Sequence, residues 1–312
     1  MTPALATGAA ATGAPATGAP ATGGTLYVVA TPIGNLADVT LRALDVLRAV
    51  PLVAAEDTRL TRRLFARHGL ATRLVSYHAR NAAARGPELL AHLRGGADLA
   101  LVTDAGTPLV SDPGGELVAA WAAEGGAVVP VPGPSAVLAA LVASGVAGPR
   151  WAFEGFLPRR GRERRERLER LAADERATVL FEAPGRLAAT LGDLAAACGA
   201  QRPAAVCREL TKIHEEIRRG TLADLAAAAS GGQILARGEM AIVVGEAVGP
   251  GGQGRAAGSP GALAADDARL AAAQAEVERL VAGGLARGEA ARRVAAAAGL
   301  PRRRLYGAPA DR

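Results

Sequence analysis

Short apolar runs alternate with amphipathic stretches along most of the chain. The first run is TLYVVAT at 25–31, followed by the turn Pro32-Ile33-Gly34-Asn35. A stretch over 38–50 then places Val39, Leu41, Leu44 and Leu47 at helical spacing. Leu52–Ala55 is a second apolar run, ending in the charged Glu56-Asp57-Thr58-Arg59. A short helix is predicted over 62–68, closed by Gly69, then a polar loop from Ser76 to Asn81 and a helix over 87–94. The third run, Leu99–Val102, leads into two small-residue breaks, DAGTP and SDPGG, ahead of a helix over 116–124. A strand at 127–131, the turn Pro132-Gly133-Pro134-Ser135 and a helix over 136–143 complete the first half. Such strand–loop–helix alternation predicts a parallel sheet with helices on both faces.

The second half repeats the pattern, with strands predicted at 151–157, 178–181, 204–207 and 239–244. Helices are predicted at Leu187–Cys198 and from the 220–225 region onward. The resulting division is an N-terminal α/β domain over 25–148 and a C-terminal one over 149–248. A Gly-rich linker at 249–265 leads to a tail over 266–312. Within the tail, helices over 267–281 and 289–298 precede Pro301-Arg302-Arg303-Arg304, which fits a helix-turn-helix-like module or a plain helical cap. Residues 1–24 repeat Ala-Thr-Gly-Ala-Pro and read as a disordered tail, lacking the basic and Leu-rich regions of a signal peptide. The uncharged window 125–149 is interrupted by Pro130, Pro132, Gly133 and Pro134, so no membrane span is expected.

Composition sharpens this picture at a few points. Aromatics make up 3% of the 312 residues, so the cores must be built on Leu, Val and Ala. Cys198 and Cys207 alone give no disulfide framework, which suits a reducing cytoplasm. His68, His78, His92 and His214 are scattered without metal-ligand spacing, so no metal is expected. The net charge of +6 is uneven: 158–170 holds seven Arg against three Glu, and 266–312 holds nine Arg against six acids. Two basic attachments on a near-neutral body point to a polyanionic partner, although Arg–Glu alternation at helical spacing also makes a solvated, salt-bridged face. Of the 36 basic residues only Lys212 is lysine, in a polar cluster directly after a strand. An amine is a compact, titratable point charge that a guanidinium cannot replace.

The stretch LVTDAGTPLVSDPGG at 101–115 concentrates the candidate chemistry. Ligands of open α/β sheets bind at the carboxyl ends of the strands, where these two turns would set Asp104 and Asp112 around a pocket. An ordinary βα connection accounts for the same letters.

The blocks ATPIGNLADVTLRAL, AAEDTR, LVTDAGTPLVSDPG, VPGPSA, FEGFLPRRGRER, RELTKIHE and GEMAIVV occur in that order. Together they resemble the tetrapyrrole-methylase superfamily of S-adenosylmethionine enzymes, and within it the members that act on ribosomal RNA. The resemblance covers about 24–248. It implies two α/β domains, a parallel-sheet N-terminal one and a mixed-sheet C-terminal one, with the cofactor in the cleft between them and a small helical tail. It also implies a cytoplasmic homodimer and 2′-O-methylation of a cytidine ribose in the decoding region of the 16S rRNA of the small ribosomal subunit. Carried over by position, S-adenosyl-L-methionine would be held by Ala105, Gly106, Thr107, Val110, Asp112, Ser135 and Ala136. From the second domain come Ala183, Leu210, Met240 and Ala241.

Methyl transfer from a sulfonium to oxygen is an in-line displacement, so holding donor and acceptor in near-attack geometry supplies much of the acceleration. A ribose hydroxyl also needs its proton withdrawn or its developing charge stabilised. Glu56, Asp57, Glu182 and Lys212 are the candidate groups, with Lys212 and Glu182 expected nearest the acceptor. Arg59 and the arginines Arg159, Arg160, Arg162, Arg164 and Arg165 would hold RNA phosphates. Two other readings compete: a C-methyltransferase acting on a corrinoid or other tetrapyrrole, and a non-catalytic RNA-binding protein of ribosome assembly.

Overall fold

The computed structural model describes residues 23–247, 260–298, 300 and 305. Most of the expected N-terminal tail and linker, and the basic turn at 301–304, lie outside the described residues. The chain forms two compact units.

The first unit comprises residues 23–136 together with Leu210–Ile213. Its elements are β1 (Leu26–Val29), α1 (Leu41–Ala49), β2 (Leu52–Ala55), α2 (Thr58–His68), β3 (Arg73–Ser76), α3 (Ala82–Arg94), β4 (Leu99–Val102), α4 (Gly115–Ala123) and β5 (Val128–Val131). The sheet order is β3-β2-β4-β1-β5, and every pairing is parallel. Period two sorts the strand residues cleanly. Val29, Val53, Ala55, Ala100 and Val102 pack with Ala43 and Leu47 of α1 and with Leu64 and Phe65 of α2. Leu26, Leu52, Ala54, Leu99 and Leu101 pack on the opposite face with Leu89 and Leu93 of α3 and with Leu117 and Trp121 of α4. Burial on both faces is why these strands read as unbroken apolar runs. Three elements differ from the sequence expectation: β3 is an additional edge strand, α2 starts at Thr58 inside the expected charged loop, and α3 starts at Ala82 and carries Pro87 inside it.

The second unit comprises Val137–Glu209 and the chain from His214 onward. It contains α5 (Ala136–Ser144) apart from its first residue, β6 (Trp151–Phe156), α6 (Arg162–Ala173), β7 (Ala177–Glu182), α7 (Leu187–Cys198), β8 (Pro203–Arg208), β9 (Glu216–Thr221), α8 (Leu222–Ser230) and β10 (Met240–Val244). The sheet order is β6-β7-β10-β8-β9. Only β6–β7 is parallel, which makes the sheet mixed. Leu180, Val206, Ile242 and Val244 face Leu168 and Leu171 of α6, Leu187, Leu191 and Leu194 of α7, and Leu222 and Leu225 of α8. α5 is fastened by polar contacts with the same sheet. The Cys207 thiol donates to the Ala140 carbonyl at 3.8 Å, and Arg219 donates to the Ala143 and Ser144 carbonyls. Burial pushes the Cys207 thiol up to about 11, so this cysteine is an inert packing group. Arg202 is buried, and its guanidinium donates to the carbonyls of Leu171, Asp174, Arg176 and Gly245, tying the strand ends together.

The tail forms α9 (Pro260–Ala282) and α10 (Arg287–Ala298). α9 starts inside the stretch expected to be linker. Ala273, Val277, Ala290, Ala291, Val294 and Leu305 give the pair its own small core. Among the described residues no helix is long and apolar enough to cross a membrane.

Candidate active site

All five strands of the first sheet end at one edge, and the loops leaving that edge are stitched to one another. After β1, the Thr31 amide donates to the Gly106 carbonyl at 2.9 Å, and the Gly106 amide returns a bond to Thr31 at 3.0 Å. The Thr31 hydroxyl donates to the Thr103 carbonyl at 3.1 Å. After β2, the Asp57 amide donates to the Asp104 carboxylate at 2.8 Å, and the Asp104 amide donates to Glu56 at 3.3 Å. The Thr107 hydroxyl donates to the Pro134 carbonyl at 3.2 Å, which joins the β4 and β5 loops. Both turns singled out in the sequence therefore belong to one constellation with Glu56 and Asp57.

Four carboxylates share this edge, and their protonation differs with their surroundings. Asp57 caps α2 and receives the Arg59 guanidinium and amide, which hold it down at about 2. Asp112 is pushed up to about 6, first by burial and then by the negative charges of Glu56 and Asp104. Glu56 and Asp104 are also raised, chiefly by burial. The loop that carries Asp112 is bent hard. Leu109 and Ser111 both adopt φ of 72°, a left-handed conformation that costs non-glycine residues energy and concentrates where a surrounding structure imposes it. Gly114 closes the bend at φ 123°, where an added Cβ would lie 2.7 Å from the Leu101 side chain.

Lys212 reaches the same unit from the β8–β9 connection. A Cβ on Gly34 would lie 2.5 Å from Lys212 Cγ and 2.9 Å from the Thr211 hydroxyl, so the lysine stem crosses the backbone just past β1. Glu209 and Thr211, on either side of Leu210, hold φ of 52° and 67°, the strain that turns this segment out of β8. The sequence-expected Ala105, Gly106, Thr107, Val110, Asp112, Ser135, Ala136, Leu210 and Lys212 all lie in the first unit.

In the second unit the outcome is different for two expected residues. Glu182 is only 2% exposed. Its carboxylate accepts from the Thr190 hydroxyl at 2.5 Å and from the Ala183 amide at 2.8 Å, and pairs with Arg186 at 3.3 Å. With both oxygens engaged inside the fold, Glu182 shapes the Ala183–Arg186 turn rather than meeting a substrate. Arg164 is 8% exposed. It pairs with Asp193 at 2.8 Å and donates to the Thr190 hydroxyl and the Pro158 carbonyl, so it is an internal strut and not a phosphate contact. Met240 and Ala241 are buried on β10, paired on both sides with β7 and β8, and Met240 belongs to the same core cluster as Leu180, Leu187 and Val206. Ala183 is exposed.

The remaining expected RNA contacts stand at the surface. Arg159, Arg160 and Arg165 are exposed and form no ion pair among the described residues. Arg162 is paired with Glu166 at 2.5 Å, and Arg59 with Asp57. No group of three or more His, Cys, Asp or Glu suited to a metal occurs among the described residues. Sequence reasoning missed the Thr31–Gly106 bridge, His78 and Arg202. His78 lies near enough to Glu56 to oppose its rise, and its Nδ1 is buried without a hydrogen-bond partner.

Comparison with known proteins places this arrangement. The family model of Tetrapyrrole (Corrin/Porphyrin) Methylases matches residues 25–226. A ribosomal RNA small subunit methyltransferase I from Synechocystis is 45% identical over 285 residues, covering 91% of this chain and 96% of that protein. A protein of the same name from Mesorhizobium japonicum is 52% identical over 225 residues, covering 71% of this chain and 75% of its own length. Among solved structures, uroporphyrin-III C-methyltransferase from Thermus thermophilus, complexed with S-adenosyl homocysteine, shares the fold at 22% identity and a TM-score of 0.52. That match covers 72% of this chain and 98% of the other. The chain therefore belongs to the tetrapyrrole methylases, in the family of ribosomal RNA small subunit methyltransferase I.

Proposed function

We propose that this protein transfers the methyl group of S-adenosyl-L-methionine to the 2′-oxygen of a cytidine ribose in the decoding region of 16S rRNA, acting in the cytoplasm as a homodimer. The reading is carried by one observation, the 45% identity that runs over 96% of a ribosomal RNA small subunit methyltransferase I. The residues at the sheet edge suit the donor. Glu56, Asp57, Asp104 and Asp112 gather negative charge where a molecule bearing a sulfonium and an ammonium would bind. Ala105, Gly106, Thr107, Val110, Asp112, Ser135, Ala136 and Leu210, all of the first unit, would hold it.

Bound there, the donor supplies an electrophilic methyl group; the other requirements fall to the chain. Small side chains and stitched loops fix the donor without reorganisation, which favours an in-line geometry. Lys212 sits over Gly34 at this edge and acts on the ribose hydroxyl, either withdrawing its proton as a neutral amine or steadying the developing alkoxide as a cation. Glu182 is a positioning residue for the Ala183 turn. Arg159, Arg160 and Arg165 hold phosphates, so affinity falls steeply with salt.

The test is incubation with small ribosomal subunits from cells lacking this protein and a labelled methyl donor, followed by mapping of the label. A 2′-O-methylcytidine in the decoding region is expected. Label on a base, label elsewhere in the 16S rRNA, or unlabelled subunits while a tetrapyrrole offered separately is methylated would overturn the reading. Sedimentation of the purified chain checks the dimer.

A further inference from the structure

Three of the four phenylalanines in this aromatic-poor chain meet on the edge of the second sheet. Phe153 and Phe156 lie on β6, the edge strand, and both rings contact Phe181 of β7, at 5.0 and 5.7 Å between centroids. Residues three apart on a regular strand point to opposite faces. Here the register shifts between Phe153 and Gly155, and Gly155 takes φ of 71°, so the bulge turns Phe156 onto the face that carries Phe153. Phe156 remains 53% exposed. A strand has thus been irregularly built in a way that leaves an aromatic ring backed on one side and open on the other.

The chain that follows is fixed just as specifically. Leu157 is buried, Arg186 donates to its carbonyl at 2.8 Å, and Arg164 donates to the Pro158 carbonyl at 2.9 Å. Arg186 in turn pairs with Glu182, so one network joins the Ala183 turn to the segment after β6. Directly beyond these anchored carbonyls, Arg159 and Arg160 are exposed and form no ion pair among the described residues. An open aromatic face beside two unpaired guanidiniums matches an unpaired nucleotide, which offers a π-face and phosphates together. A protein partner would have to bring its own carboxylates to these guanidiniums, whereas a nucleotide carries ring and phosphate in one unit.

We propose that Phe156 is a stacking platform for one unpaired base of the RNA substrate, with Arg159 and Arg160 gripping the adjacent phosphates. The inference rests on the rRNA-methyltransferase reading and adds the residues that receive the strand. Arg164 and Arg186 are the struts that hold platform and grip in register.

The experiment measures binding of purified small ribosomal subunits by the full chain and by Phe156→Ala, Phe156→Leu, Phe156→Trp and Arg159→Ala/Arg160→Ala. Phe156→Ala is expected to weaken binding by roughly 5- to 150-fold at unchanged salt dependence. Phe156→Trp should bind like the parent, and its added indole emission should be quenched when subunits are present. The double arginine variant should flatten the dependence of log K on log salt by about 0.7 for each phosphate no longer gripped. Parent-like binding by Phe156→Ala, unquenched emission from Phe156→Trp, or full rescue by Phe156→Leu would overturn stacking. Loss of the dimer in Phe156→Ala would assign the ring to a second copy of the chain instead. Phe156→Leu and Phe156→Trp keep a large side chain on Phe181, so the comparison survives if the alanine variant fails to fold. A parent that binds the methyl donor but not the subunits would sink the functional reading itself, an outcome distinct from any of these.

Discussion

Lys212 is the single amine among 36 basic side chains, and its stem is held across Gly34 by close packing. Arginine at this position keeps the charge but loses the compact, titratable head. Lys212→Arg is therefore expected to lower the single-turnover methyl-transfer rate at least tenfold while donor affinity, read by calorimetry, changes little. Equal turnover would remove Lys212 from the chemistry. Asp112 makes a separate statement about pH. Its folded-state value of about 6 lies above the ordinary carboxylate value because burial, Glu56 and Asp104 disfavour its charge. Between pH 4 and 6 the Asp112 carboxyl accordingly holds its proton more often in the folded protein than in the unfolded chain, so this group's contribution to stability falls as pH rises through that window. Asp112→Asn should raise the melting temperature of the donor-free protein at pH 7.5 and leave it unchanged near pH 4. The same substitution should weaken donor binding at pH 7.5, and donor affinity of the parent should climb as pH passes 6. A melting temperature that drops in Asp112→Asn at pH 7.5 would refute the assignment.

At the scale of single elements, α6 shows why neighbouring arginines differ in kind. Arg164, Leu168 and Leu171 are spaced four and three residues apart, so they share the buried face, whereas Arg159 and Arg160 precede the helix and stand in solvent. Arg164→Ala removes the charged donor shared by the Pro158 carbonyl, the Thr190 hydroxyl and the Asp193 carboxylate, at a cost of about 1–3 kcal/mol in denaturant unfolding. It should leave the salt slope of subunit binding unaltered. Arg160→Ala should do the reverse, with stability within about 0.5 kcal/mol of the parent. Both inward-facing groups were legible in the letters. The spacing of Arg164 with two leucines gives its direction, and period two puts Glu182 on the side of Leu180, into the core. The carboxyl-edge loops were equally legible, because an apolar run that stops at Thr-Asp-Ala-Gly can only leave the sheet. β3 and β9 escaped notice because edge strands such as RLVS and EIRRGT carry no buried run. The seat of Lys212 was illegible for another reason: a return across more than 170 residues to Gly34 is written in tertiary packing, not in any local pattern.

At the scale of the whole molecule, the tail can be separated from the catalytic body by its packing. Its buried residues, from Ala273 to Leu305, form a cluster that contains none of the leucines and valines of the second unit's core. Glu278 and Arg287 join α9 to α10 by two hydrogen bonds of 2.6 and 2.8 Å, so the pair is held together from within. Yet 266–312 carries nine arginines against six acids, an excess of guanidinium suited to phosphate contacts. A chain ending at residue 259 is therefore expected to bind S-adenosyl-L-methionine with parental affinity and to unfold at nearly the parental temperature. Its affinity for small ribosomal subunits should fall, and most at low salt, where released counterions favour each phosphate grip most strongly. Unchanged affinity at both low and high salt would make the tail a helical cap. Lost donor binding would mean that α9 and α10 support the body after all. The combination expected, donor binding intact and RNA grip weakened, follows only if grip and chemistry reside in separately folded parts of one chain.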